Sequence, residues 1–213
     1  MFRDRDDAGE QLARAVVAAK PDAPVVLALP RGGVPLGAAV AGTLGAPLDL
    51  LLVRKIGLPG QPEVAAGAVV DGPAPITLFN EAVLRHSGLT EADFAPRIKV
   101  LRAEIEARRA RYLPGRAPVS VAGKTAIVVD DGIATGATIR VAVKALRAQA
   151  PAAIWIAVPV APADLMTLLE AEVDRVICLE QPREFWAVGA HYGAFDQVED
   201  ETVIDCLRRF DQG

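Results

Sequence analysis

The sequence is poor in the residues that build metal centres and disulfide frameworks. Among 213 residues there are two cysteines, Cys178 and Cys206, and two histidines, His86 and His191. Neither cysteine has a second Cys or a His at metal-ligand spacing, which excludes a zinc finger or ribbon. Both fit reduced thiols, one in an apolar strand-like run and one in a helix-like tail. Aromatics make up only 5% of the chain, too few for an aromatic-rich β-sandwich. No apolar run reaches the roughly 18 residues of a membrane-spanning helix. The opening Met1-Phe2-Arg3-Asp4-Arg5-Asp6-Asp7 is charged where a secretory signal is apolar. A cytoplasmic protein with no membrane partner is the expectation. An excess of basic charge is also missing: 23 Lys and Arg against 27 Asp and Glu give a net charge of −4, which argues against a nucleic-acid partner. The most basic stretch, residues 97–116, is interleaved with Glu104 and Glu106 and reads as a solvated helix face.

What is present is an alternation of short apolar runs with Ala-rich amphipathic stretches, the pattern of repeated βα units. Residues 11–20 read as a helix stopped by Pro21, 25–29 as an apolar strand, 36–44 as a helix, and 48–53 as a strand ending at Arg54-Lys55. Short strands over 65–70 and 75–79 flank a turn at Asp71-Gly72-Pro73. A short helix starts at Glu81, and a long one over 91–112 is charged on most faces and so belongs outside. After a linker bracketed by Pro114 and Pro118 come a strand at 126–129, a loop and helix over 135–150, and a strand at 153–158. A helix at 163–172, a strand at 175–179, an irregular aromatic stretch at 181–198 and a closing helix at 202–210 complete the chain. The fold class is therefore α/β, a central, mostly parallel sheet flanked by helices. A single domain over 1–213, with an inserted hairpin-and-helix segment at 56–113, is the simplest partition.

The chemistry concentrates in Thr125-Ala126-Ile127-Val128-Val129-Asp130-Asp131-Gly132-Ile133-Ala134-Thr135-Gly136-Ala137-Thr138. An apolar strand delivers two adjacent carboxylates to its carboxyl end, where α/β sheets bind ligands. Both cannot be buried as bare charges; sugar hydroxyls or Mg²⁺ would satisfy them. Small residues and the hydroxyls of Thr135 and Thr138 then lead into a helix, whose first N–H groups and dipole favour a phosphate. Diol-binding carboxylates followed at once by a phosphate cradle describe a ribose 5-phosphate site. A lone Asp-Asp-Gly would read as an ordinary turn and helix cap; the strand before it and the Ala-Thr-Gly-Ala-Thr after it favour the ligand site. Gly123-Lys124-Thr125 imitates the end of a P-loop, but it precedes a strand and lacks the upstream glycine, whose place is taken by Pro118.

Residues 126–138 resemble the phosphoribosyl-pyrophosphate (PRPP) motif of the type I phosphoribosyltransferases. The resemblance implies that Asp130 and Asp131 bind the ribose 2- and 3-hydroxyls, and that Gly132, Ala134, Thr135, Gly136, Ala137 and Thr138 hold the 5-phosphate. It implies the family's sheet with a small hood and a lid, and Mg²⁺ carried by PRPP and water, with Asp130 and Asp131 as further ligands. The implied reaction moves the 5-phosphoribosyl group to a nitrogen acceptor, a nucleobase, and releases pyrophosphate. Charge separates through an oxocarbenium-like transition state, so the carboxylates position the sugar and no covalent nucleophile is required.

By the same resemblance, Arg31, Gly32 and Gly33 match the loop that contacts pyrophosphate, often with a cis peptide; a helix-leading loop with a surface arginine is the plain alternative. Arg54 and Lys55 match the second basic position for pyrophosphate, or are solvated strand-end charges. Residues 56–72, with Gly57, Gly60, Gly67 and Gly72, match the family's mobile loop and equally suit an ordinary hairpin. Residues 180–213 match the hood and closing helix. There Phe185 and Trp186 would stack on a base, pack the hood's own core or meet a second subunit, and Phe2 would join them.

One departure narrows the substrate. The 6-oxopurine enzymes carry an acid where this sequence has Ala134, which cannot transfer a proton. Glu63 or Glu184 could supply one, but nothing in the sequence brings either near a substrate. Segment 73–113 exceeds what a minimal member needs, with dimer contact or lid support as its readings. Two rivals remain: a PRPP- or nucleotide-sensing regulator of the same fold, and a PRPP-dependent protein whose acceptor is not a base.

Overall fold

The computed structural model describes residues 1–72 and 75–210. Pro73 of the expected turn and residues 211–213 of the expected C-terminal segment lie outside them. The chain begins with α1 (Arg5–Ala18), which starts six residues before the periodicity suggests because Asp4 caps it, accepting the Asp7 N–H at 2.8 Å. β1 (Pro24–Ala28) leads through a cis Pro30–Arg31 peptide into α2 (Gly33–Leu44), and β2 (Leu48–Leu50) follows. β3 (Val53–Leu58), β4 (Gln61–Val70) and β5 (Ile76–Phe79) form a separate antiparallel sheet in that order. α3 (Glu81–Ser87) and a single 3₁₀ turn precede α4 (Ala95–Tyr112). The expected helix over 91–112 divides there because Pro96, without an N–H, favours a first helical turn. β6 (Thr125–Val129), α5 (Ala137–Arg147), β7 (Ala153–Val160), α6 (Ala163–Glu172), β8 (Arg175–Glu180) and α7 (Asp200–Arg208) complete the fold.

The central sheet has the order β2-β1-β6-β7-β8, every pair parallel. Alternate residues face opposite sides. Val26, Ala28, Ile127 and Val129 pack with Leu12, Val16, Leu36 and Val40 of α1 and α2. Val25, Leu27, Ala126 and Val128 pack with Ile139, Val143, Leu146 and Leu169 of α5 and α6. β1 and β6 are therefore buried on both faces, which is why both sequences are continuous apolar runs.

Two expectations are corrected. The strand expected over 48–53 is split: Leu48–Leu50 stays in the central sheet, while Val53 opens the second sheet. Residues 56–72 form most of a hairpin that turns at Gly60, whose φ of 77° suits glycine. α4 also does more than cover the outside. It buries Leu101, Ile105 and Tyr112, and Arg109 reaches inward to Asp49 at 2.9 Å and Asp71 at 2.7 Å. Arg109 is 12% exposed and Asp49 3%. Such a three-member ion cluster ties α4 to β2 and to the end of β4.

Candidate functional site

The register of β1 on β6 pairs Ala28 with Val129, and the Leu29 N–H reaches the Val129 carbonyl at 2.9 Å. The loops that follow, Arg31-Gly32-Gly33 and Asp130-Asp131, are thereby laid side by side at the carboxyl edge of the sheet. Glycine is required for the approach. A Cβ on Gly32 would lie 1.9 Å from an Asp131 carboxylate oxygen, and one on Gly33 would lie 2.6 Å from the Val129 carbonyl oxygen.

Asp130 accepts the Asp131 N–H at 2.9 Å. Burial, reinforced by the neighbouring Asp131 charge, pushes the Asp130 carboxyl well above the usual carboxylate range. Asp131 has a dedicated cation. Arg5 Nη2 is 2.8 Å from Asp131 Oδ2, with side chains only 13% and 15% exposed, and Arg5 Nε donates to the same oxygen at 2.9 Å. Arg5 also donates to the Asp196 carbonyl at 2.6 Å and lies over the Phe195 ring, 3.9 Å from its centroid. The Tyr192 hydroxyl donates to the Asp131 carbonyl at 2.6 Å, and burial raises its pKa.

The N-terminal segment thus closes over the acidic pair. The Phe2 N–H reaches the His191 carbonyl, and the Gly193 and Ala194 N–H groups reach the Phe2 and Arg3 carbonyls, each at 2.8 Å. Phe2 is buried against Tyr192 with ring centroids 5.4 Å apart. Nothing in the sequence separates Arg5 from Arg3, so its place opposite Asp131, 126 residues away, had no sequence signal.

Beyond the acidic pair, Gly132 sits beneath Val188, and Ala134 and Thr135 are exposed. Gly136, buried with φ of 73°, turns the chain into α5 and offers that helix no side-chain cap, while Thr135 Oγ1 accepts the Ala137 N–H at 3.4 Å. Ala137 and Thr138 lie exposed on its first turn. The first N–H groups of a helix have no partner within it, so this is an anion-ready terminus beside two carboxylates. A cleft of 380 Å³ opens next to it, lined in part by Ala134, Thr135, Asp164, Leu165, Arg183 and Phe185. Phe185 stacks on His191 at 5.4 Å, with planes inclined by 15°. Trp186, 89% exposed, points away into solvent.

The cations at the other end have carboxylate partners. Arg31 Nη1 is 3.7 Å from Asp200 Oδ1. Arg54 is 3.6 Å from Glu104, and its pKa is lowered by burial and by the nearby Arg108 charge. Lys55 pairs at 3.6 Å with Glu63 across the hairpin, in solvent, and no described contact joins either of them to the acidic pair. Glu184 is exposed on the segment before Phe185. Among the described residues, no three His, Cys, Asp or Glu side chains converge as a metal site of their own.

A phosphoribosyl transferase domain model matches residues 6–193. The chain belongs to that family. Two Mycobacterium tuberculosis proteins, from strains CDC 1551 and H37Rv, have names that assign them provisionally to the phosphoribosyl transferases. Each is 42% identical over 211 residues, 98% of this chain. The chain spans 47% of their length. The crystal structure of TT1426 from Thermus thermophilus superposes with a TM-score of 0.85 at 38% identity, covering 98% of both chains. The central sheet is parallel and flanked by helices. No helix among the described residues is long and apolar enough to cross a membrane.

Proposed function

We propose that this phosphoribosyl transferase domain moves the 5-phosphoribosyl group of PRPP to a nitrogen acceptor, a nucleobase, and releases pyrophosphate. The observation that carries the reading is the close approach of Gly32 and Gly33 to Asp131 and Asp130. It sets a cation-bearing loop and two carboxylates at one sheet edge, with the α5 N-terminus following directly in the chain.

In this reading Asp130 and Asp131 accept the ribose hydroxyls, while the 134–138 turn holds the 5-phosphate through backbone N–H groups and Thr hydroxyls. Arg31 faces the diphosphate. The bond from C1 to the diphosphate oxygen breaks with its electron pair leaving on pyrophosphate, and the acceptor nitrogen's lone pair forms the new bond. Positioned charges stabilise this separation better than water does, because they need no reorganisation. The cleft beside Thr135, with Phe185 on its wall, takes the acceptor. Adjacent carboxylates are hard oxygen donors that suit Mg²⁺, which would take its remaining ligands from the diphosphate and water. Bound there, Mg²⁺ would neutralise charge on the leaving group.

The Arg5–Asp131 ion pair favours a second reading, a PRPP- or nucleotide-sensing protein of the same fold, since a ligand entering at Asp131 would release the N-terminal segment. Incubation with PRPP, Mg²⁺ and a panel of bases, with pyrophosphate measured, separates the two. Base-dependent pyrophosphate release is expected. Tight PRPP binding without turnover on any acceptor would instead support sensing.

A further inference from the structure

α4 brings further arginines to the Arg31 loop. Asp200, the first residue of α7, is 2.7 Å from Arg111 Nη1 and accepts the Tyr112 hydroxyl, while Arg31 Nη1 stands off at 3.7 Å. Arg108 lies over the Tyr112 ring, 5.6 Å from its centroid. Arg54, on β3, is near enough to Arg108 to feel its charge, and has Glu104 at 3.6 Å. Arg31, Arg54, Arg108 and Arg111 thus gather on two carboxylates, Asp200 and Glu104, and Glu104 is also shared with Arg97 at 3.8 Å, so positive charges outnumber negative ones here.

Arg31, Arg54 and Arg108 are partly buried while Arg111 is exposed, and like charges held together on partly buried side chains cost free energy unless an anion joins them. Packing does not require the arrangement, since α4 already anchors itself through Leu101, Ile105 and the Arg109 ion pairs with Asp49 and Asp71. That anchor lies one residue from Arg108 and fixes the turn of the helix that carries it. The three elements involved, the β1–α2 loop, β3 and α4, would share one ligand only if it is compact and multiply charged. A diphosphate meets both conditions, and guanidinium forks match its oxygens.

We infer that α4 completes the diphosphate end of the site, with Arg108 acting beside Arg31 and Arg54, and with Asp200 holding Arg31 until the anion arrives. This rests on the reading that the domain binds PRPP. Arg111, closer to Asp200 than Arg31 is, keeps that carboxylate neutralised when Arg31 turns away.

The test is calorimetric titration of inorganic pyrophosphate and, separately, ribose 5-phosphate into the wild type, Arg108→Gln, Arg108→Lys and Asp200→Asn, with melting temperatures recorded for each. Arg108→Gln is expected to weaken pyrophosphate about tenfold and leave ribose 5-phosphate unchanged. Arg108→Lys should recover part of the loss, and Asp200→Asn should tighten pyrophosphate. Unchanged pyrophosphate affinity in Arg108→Gln, or equal losses for both ligands, would overturn the role given to Arg108. Weaker or unchanged pyrophosphate binding in Asp200→Asn would overturn the role given to Asp200. A wild type that binds neither ligand sinks the PRPP reading itself, and the inference with it.

Discussion

Arg5 and Asp131 form a two-point contact, Nη2 at 2.8 Å and Nε at 2.9 Å from one carboxylate oxygen, and so join the first turn of α1 to the acidic pair at the end of β6. The contact does two opposed things. It offsets the cost of holding Asp131 beside Asp130 in a partly buried place, and it occupies an oxygen that a ribose hydroxyl or a metal would use.

Arg5→Ala is therefore expected to lower the stability of the free protein by about 2 kcal/mol, a drop of roughly 4–8 °C in melting temperature for a chain of this size. The rise in melting temperature on adding saturating ribose 5-phosphate and Mg²⁺ should be larger in the variant than in the wild type, because no cation has to be displaced. Thermal melts with and without ligand decide it. A smaller ligand-induced rise in Arg5→Ala would show Arg5 to be a ligand contact instead.

Asp130 gives a pH signature. Its folded-state pKa lies above the unfolded value because of burial and the Asp131 charge. Its favourable contribution is therefore complete below the unfolded value, near pH 4, and is lost as pH rises through the folded value. Asp130→Asn keeps an oxygen to accept the Asp131 N–H and removes the charge. The variant should melt higher than the wild type at pH 7.5, and the gain should vanish near pH 4. An equal gain at both values would contradict the assignment.

The Arg109 cluster contributes to stability by anchoring α4 and makes no described contact with the acidic pair. Arg109→Ala leaves Asp49 and Asp71 buried without their cation, and a loss of about 3–5 kcal/mol is expected. Chemical denaturation of the variant measures it. A loss below about 1 kcal/mol would mean that α4 is held mainly by Leu101 and Ile105.

The local part of this architecture was legible in the sequence. Continuous apolar runs marked β1, β6 and β7, and residues 130–138 marked a turn with ligand chemistry, because strand burial and phosphate cradles are written in adjacent residues. The β3–β4 hairpin was half legible, since its glycines suit a lid and a hairpin alike. What escaped depends on contacts between distant segments. Arg5 against Asp131, Tyr192 against the Asp131 carbonyl, and Arg31 and Arg111 on Asp200 are set by how α1, α4 and α7 pack on the sheet. The charged face of α4 looked solvated because period and composition do not distinguish Arg109, which is buried against two aspartates, from Arg102, which is exposed.

The central claim, that Asp130 and Asp131 with the 134–138 turn form a ribose 5-phosphate site, is tested most directly by titrating PRPP with Mg²⁺ into the wild type and the Asp130→Asn, Asp131→Asn double variant, with circular dichroism to confirm an intact fold. Saturable binding by the wild type and none by the folded double variant is the result predicted. Unchanged PRPP affinity in the double variant would contradict the claim.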